Sequence, residues 1–82
     1  MSAPRARATG LRRPASGIAI DTGQLARLRI GKGWNQSDLA REAGLSPSTI
    51  SMIEKRERRP SAATLNALCT ALGCTPTVLL PA

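Results

Sequence analysis

The groups in this chain that can do chemistry are almost all hydrogen-bond donors and cations, and they crowd into one stretch. From Asn35 to Arg59 the sequence reads NQSDLAREAGLSPSTISMIEKRERR, with amides and hydroxyls followed by Lys55, Arg56, Arg58 and Arg59. Such a set suits the recognition of a polyanion by hydrogen bonds and charge. It does not suit bond-breaking. The chain has no His, Tyr or Phe and a single Trp, Trp34, so the usual acid/base group and any aromatic platform for stacking single-stranded bases are missing. Cys69 and Cys74 are the only cysteines, too few without histidine to complete a zinc set; they are expected to be reduced thiols, Cys69 at least in a core. No nucleophile–base pair, metal site or cofactor motif is found, and the chain is not expected to be an enzyme.

Charge supports the same partner class. Twelve basic and five acidic side chains leave a formal charge of +7 on 82 residues. That length allows one domain with a small core, and the excess of cations favours an anionic partner. No apolar run approaches the roughly 20 residues of a membrane span, and no membrane partner is expected. The basic N-terminus lacks the apolar stretch of a secretory signal.

The elements that would position these groups are short helices. Residues 1–19 carry Arg5, Arg7, Arg12 and Arg13 among Ala, Gly, Pro and Ser, a composition that reads as a disordered basic arm. That arm can follow a DNA groove, or be a solvated leader. Residues 20–82 form the domain. A first helix is expected over Thr22 to Lys32, with Leu25 and Leu28 inward and Gly31 and Gly33 ending it. Asn35 caps a second, with Asp38 three residues on, and Gly44 closes it. Ser46 caps a third, which Pro47 opens and whose inner face holds Ile50 and Ile53. After the basic stretch, Pro60 and Ser61 restart the chain, and Leu65, Leu68 and Leu72 stripe a fourth helix ending at Gly73. Thr75 and Pro76 open a last turn with Val78, Leu79 and Leu80. The second and third helices, joined through Gly44 with the small Ala40 at their crossing, make a helix-turn-helix, a device that holds a helix end in the DNA major groove.

The segment from Leu25 to Leu80 resembles the Cro/phage-repressor, or XRE, family of helix-turn-helix domains. The resemblance is carried by Leu25, Leu28, Arg29, Gly33, Trp34, Asn35, Gln36, Leu39, Ala40, Gly44, Leu45, Ser46, Thr49, Ile50, Ser51, Ile53 and Glu54. It continues through Pro60, Ser61, Leu65, Leu68, Ala71, Leu72 and Gly73. It implies an all-α, five-helix, lambda-repressor-like fold. It further implies base contacts from Pro47, Ser48, Ser51 and Met52 on the third helix, none of which is the Arg–guanine or Gln–adenine pair of direct readout, so DNA shape is expected to contribute. Phosphate contacts are expected from Asn35, Gln36, Ser46, Lys55, Arg56, Arg58 and Arg59; Asn35 and Ser46 can equally serve as helix caps alone. Arg29 and Glu54 are implied to form a partly buried structural ion pair. The family places glycine where this chain has Arg56, so either the third helix runs on or the following loop bends differently.

The function this implies is a sequence-specific, double-stranded-DNA-binding transcriptional regulator, a small dimeric autorepressor of a prokaryote or phage, cytoplasmic and nucleoid-associated, needing no cofactor. One recognition helix reads too little sequence, hence the homodimer, for which Val78, Leu79 and Leu80 are candidate contacts if they do not merely close the core. The alternative is an antitoxin of the same fold that masks a toxin partner, or a restriction-modification controller.

Overall fold

In the computed structural model, which describes residues 17–81, five helices account for all the regular secondary structure of the described residues: α1 (Thr22–Gly31), α2 (Gln36–Ala43), α3 (Pro47–Glu54), α4 (Ala62–Leu72) and α5 (Pro76–Leu79). Each of the first four begins on a side-chain cap. Asp21, Asn35, Ser46 and Ser61 each accept a backbone N–H from the residue three positions on, satisfying a donor the helix itself leaves orphaned. At α2 the cap is reciprocal: Asp38 N–H donates to Asn35 Oδ1 at 2.8 Å, and Asn35 N–H donates to Asp38 Oδ2 at 3.0 Å. Pro47 and Pro76 open α3 and α5, where a missing N–H is harmless.

The core is one cluster: Leu25 of α1, Leu39 and Ala40 of α2, Ile50 and Ile53 of α3, Leu65, Leu68, Cys69 and Leu72 of α4, and Leu79 of α5. Burying each of the leucine and isoleucine side chains contributes about 1.5–3 kcal/mol. Helix α2 packs against α3 and α4, and α1 packs against α3 and α5. Ala40 is buried at the α2–α3 crossing, where a longer side chain would force the helices apart. At Gly44 the chain turns with φ 72°, and Leu45 N–H closes the end of α2 on Ala40 O at 2.8 Å.

Three expectations are corrected here. Leu79 is fully buried and its carbonyl accepts Asp21 N–H at 2.7 Å, so it closes the core and is no surface contact; Val78 and Leu80 on either side are 40% and 42% exposed. Ile18, placed by composition in a disordered arm, packs on the core and donates its N–H to Pro60 O at 2.8 Å. The domain's contacts therefore begin upstream of residue 20, because Ile18 and Ile20 bring apolar surface that the stretch before them lacks; residues 1–16 of the arm lie outside the described residues. Finally, α3 neither runs on nor bends away. It ends at Glu54, and Arg56 takes the left-handed turn itself at φ 65°.

Candidate nucleic-acid interface

Ser46 and Pro47 set the start of α3 at the surface. Ser46 Oγ accepts Thr49 N–H at 3.1 Å and lies 2.8 Å from Thr49 Oγ1, so its hydroxyl is engaged in the cap. Beyond it, Pro47 and Ser48 are exposed, and Ser51 and Met52, one turn on, are half-buried. These four are neighbours on one side of the helix, opposite Ile50 and Ile53, which are in the core. The four residues expected to touch bases thus form one contiguous outer face.

Behind that face lies a hydrogen-bonded knot. Arg29 of α1 donates from Nε to Glu54 Oε2 at 2.8 Å and from Nη2 to Glu54 Oε1 at 3.1 Å. The pair is largely withdrawn from water, with side chains 13% and 11% exposed. Arg29 Nη1 also donates to Trp34 O at 2.9 Å, which ties α1 to the segment leading into α2. The Arg29–Glu54 geometry is the one implied by the resemblance.

The reading of the sequence missed the third member. Gln36 Nε2 donates to Glu54 Oε1 at 3.1 Å, so its amide is turned toward the knot. The amide N–H₂ thus has one proton committed, whereas the backbone N–H of Gln36, in the first turn of α2, lies at the positive end of the helix dipole, where it can meet a phosphate. No local signal could have announced this contact between residues 18 apart. Asn35 and Ser46, for which two roles were open, both act as caps, and Asn35 is exposed beside Gln36.

The basic loop is uneven. Lys55, Arg58 and Arg59 are exposed and form no ion pair among the described residues. Arg56 is exposed too, but its Nε donates to Thr22 Oγ1 at 3.1 Å, across to the first residue of α1. Thr22 was not expected to take part.

Titration away from this surface has local causes. The Asn35 N–H, and after it the Arg41 side chain, hold the Asp38 carboxyl below its ordinary 3.8. The Arg41–Asp38 pair is 3.0 Å long and exposed, a type of contact that adds little stability. Burial, reinforced by the neighbouring Cys74, pushes the Cys69 thiol up to about 11. Both cysteines are free, and among the described residues no group of three or more His, Cys, Asp or Glu is placed to hold a metal ion. No helix among them is long and apolar enough to cross a membrane.

Comparison with known proteins agrees with this geometry. A helix-turn-helix family model matches residues 25–79, from inside α1 to the end of α5. A hypothetical transcription factor of Neisseria meningitidis serogroup B is 33% identical over 45 residues. These are 55% of this chain and 42% of the relative, so the chain spans about two-fifths of that protein. Among solved structures, the restriction-modification controller protein C.AhdI from Aeromonas hydrophila aligns at TM-score 0.67 and 33% identity, covering 70% of this chain and 86% of that one. The hypothetical transcription factor NHTF from Neisseria aligns at TM-score 0.68 and 27% identity, covering 73% and 70%. The clp gene regulator ClgR from C. glutamicum aligns at TM-score 0.62 and 28% identity, covering 68% and 73%.

Proposed function

Since the chain belongs to the helix-turn-helix family, of the XRE type, we propose that it is a DNA-binding transcriptional regulator that reads a specific duplex sequence with α3. The observation that carries this reading is the outer face of α3. Pro47, Ser48, Ser51 and Met52 stand clear of the core on a helix whose inner face and both ends are locked, with exposed Lys55, Arg58 and Arg59 just beyond. Rigid positioning of a few side chains beside a cationic edge is what major-groove readout requires.

In this reading Pro47 and Met52 offer apolar contact to thymine methyls, and the two serines exchange hydrogen bonds with base edges. Phosphates are met by the backbone N–H of Gln36 at the start of α2, by Asn35 beside it, by Ser46 at the start of α3, and by the basic loop. None of the four base-facing groups makes a bidentate pair, so phosphates and duplex shape carry much of the affinity. A two-fold dimer supplies the second half-site, with Val78 and Leu80 as its apolar contacts, and the protein represses its own gene.

A more specific version is favoured by one observation. The controller protein C.AhdI is 33% identical and is covered over 86% of its length, which supports a role as the controller of a restriction-modification system. In that case a restriction or modification gene lies beside this one.

The test is fluorescence anisotropy at near-physiological salt with a duplex from the gene's own upstream region and a scrambled duplex of equal length. Preference for the native duplex by about a hundredfold or more is expected, within the ordinary range of specific over non-specific binding. Equal affinity for the two would remove the self-regulating reading.

A further inference from the structure

The turns that end α1 to α4 share one plan. In each, a left-handed residue follows the helix, and the residue after it returns its N–H to the carbonyl five positions back. Trp34 N–H reaches Arg29 O, Leu45 N–H reaches Ala40 O, Glu57 N–H reaches Met52 O, and Cys74 N–H reaches Cys69 O. Closure of this kind brings the side chains of the two bonded residues together over the helix end. At the end of α4, and at no other of the four, both are cysteines.

The geometry there is that of a pair able to join. Gly73 takes the left-handed position at φ 71°, its N–H bonds Thr70 O at 3.3 Å, and the Cys74 N–H bond to Cys69 O is 3.0 Å long. A hydrogen bond of that length keeps the two Cα atoms within about 7 Å, the limit for closing a disulfide. The side chains meet as well: Cys74 packs on the core cluster that contains Cys69, and the two thiols lie within hydrogen-bonding reach. They differ in access. Cys69 is 2% exposed and burial pushes its thiol up to about 11, whereas Cys74 is only half-buried. An oxidant therefore meets Cys74 first, with Cys69 behind it.

The segment that Cys74 opens is lightly held. It leads through Thr75 into α5, whose start alone among the five helices has no side-chain cap. Yet α5 carries the buried Leu79, whose carbonyl accepts Asp21 N–H, and the exposed Val78 and Leu80. We propose that Cys69 and Cys74 are a reversible dithiol–disulfide couple, oxidised by low-molecular-weight disulfides, and that the bond braces α5 against α4. The Cys74 thiolate attacks one sulfur of the small disulfide, forming a mixed disulfide and expelling one small thiolate, which takes up the proton that Cys74 released. The Cys69 sulfur then attacks Cys74 Sγ, its proton leaves with the second small thiol, and the protein disulfide is complete. Two protein thiols are oxidised, one small disulfide is reduced to two thiols, and excess thiol runs the sequence backwards. The couple does not depend on the function proposed above.

The experiment equilibrates the full chain in buffers of graded glutathione to glutathione-disulfide ratio, once folded and once unfolded in concentrated urea. Acid quenching, alkylation of free thiols and intact mass then give the fraction joined. In the folded chain an intramolecular disulfide is expected to persist under conditions about tenfold or more reducing than in urea, because the turn already holds the two thiols together. Hydrogen exchange of the Val78 and Leu80 amides is expected to slow about threefold or more in the oxidised chain. Cys74→Ser leaves only the buried thiol and is expected to resist the small disulfide; a mixed disulfide on Cys69 in that variant would overturn the order of attack. The pairing is overturned if the folded chain stays reduced, stops at mixed disulfides, links between chains, or joins no more readily than the unfolded one. Unchanged exchange in α5 overturns the bracing.

Discussion

Arg29 grips Glu54 through two parallel hydrogen bonds, 2.8 Å from Nε and 3.1 Å from Nη2, joining residues 25 apart in the chain. The fork fixes the end of α3 to α1, and because Oε1 also receives the Gln36 amide at 3.1 Å, one carboxylate sets the relation of three helices. The base-facing surface of α3 is held in register with the start of α2 through this single group.

Removing one partner of the pair leaves the other withdrawn from water and unmatched. Arg29→Ala is expected to lower unfolding stability by about 3–5 kcal/mol. Gln36→Ala removes a hydrogen bond to a charged acceptor, worth about 1.5–3 kcal/mol, and loosens α2 against α3. Under the proposed function it also weakens binding to native and scrambled duplexes alike. Urea denaturation and anisotropy on the same two variants check this; a stable Gln36→Ala with undiminished DNA affinity would deny the residue both roles.

The start of the folded domain can be located by truncation. Chains beginning at Gly17 and at Ile20 differ by Ile18 and its two neighbours. The shorter chain loses the bond from Ile18 N–H to Pro60 O and the packing of Ile18 on the core. It is expected to be less stable by about 1–3 kcal/mol, which thermal unfolding of the two chains measures. Equal melting temperatures would return residues 17–19 to the arm.

What the sequence made legible, and what it concealed, divides by distance along the chain. The ends of α2 were readable because Asn35, Asp38 and Gly44 act within one helical turn of themselves, and the start of α3 was readable from Ser46 and Pro47 for the same reason. The Arg29–Glu54 pair was legible only through family resemblance. Gln36 to Glu54 and Arg56 to Thr22 were not legible at all, since each spans many residues and depends on the crossing angles of packed helices. At Arg56 the sequence flagged the missing glycine. It could not show that the turn would keep its shape regardless, because that depends on packing and on Thr22 at the start of α1. Helix α5 has four residues, too few for a period to separate the buried Leu79 from Val78 and Leu80.

Those three residues now differ in expected effect. Leu79→Ala empties a fully buried position and should destabilise the fold by about 2–5 kcal/mol. Leu80→Asp alters a side chain 42% exposed and should leave the intrinsic stability of the monomer within about 0.5 kcal/mol while weakening self-association. Sedimentation equilibrium over a range of concentrations separates the two. A wild-type chain that stays monomeric at every concentration, with and without DNA, would eliminate the dimer.

The basic loop makes the sharpest quantitative claim, because counterion release counts phosphates. Each neutralised phosphate contributes about −0.9 to the slope of log K against log salt on duplex DNA, so Lys55, Arg56, Arg58 and Arg59 together imply about −3.6. Thr22 anchors Arg56, whereas the other three side chains are exposed and unpaired among the described residues. Arg58→Ala and Arg59→Ala are each expected to flatten the slope by about 0.9 while leaving the ratio of native to scrambled affinity intact. Ser51→Ala should do the reverse, narrowing that ratio at constant slope, because a base-edge contact releases no counterion. Anisotropy titrations at several salt concentrations measure both quantities for each variant. If Arg58 and Arg59 can be removed without changing the slope, the loop after α3 does not lie along the backbone, and a DNA contact would have to be sought on another face.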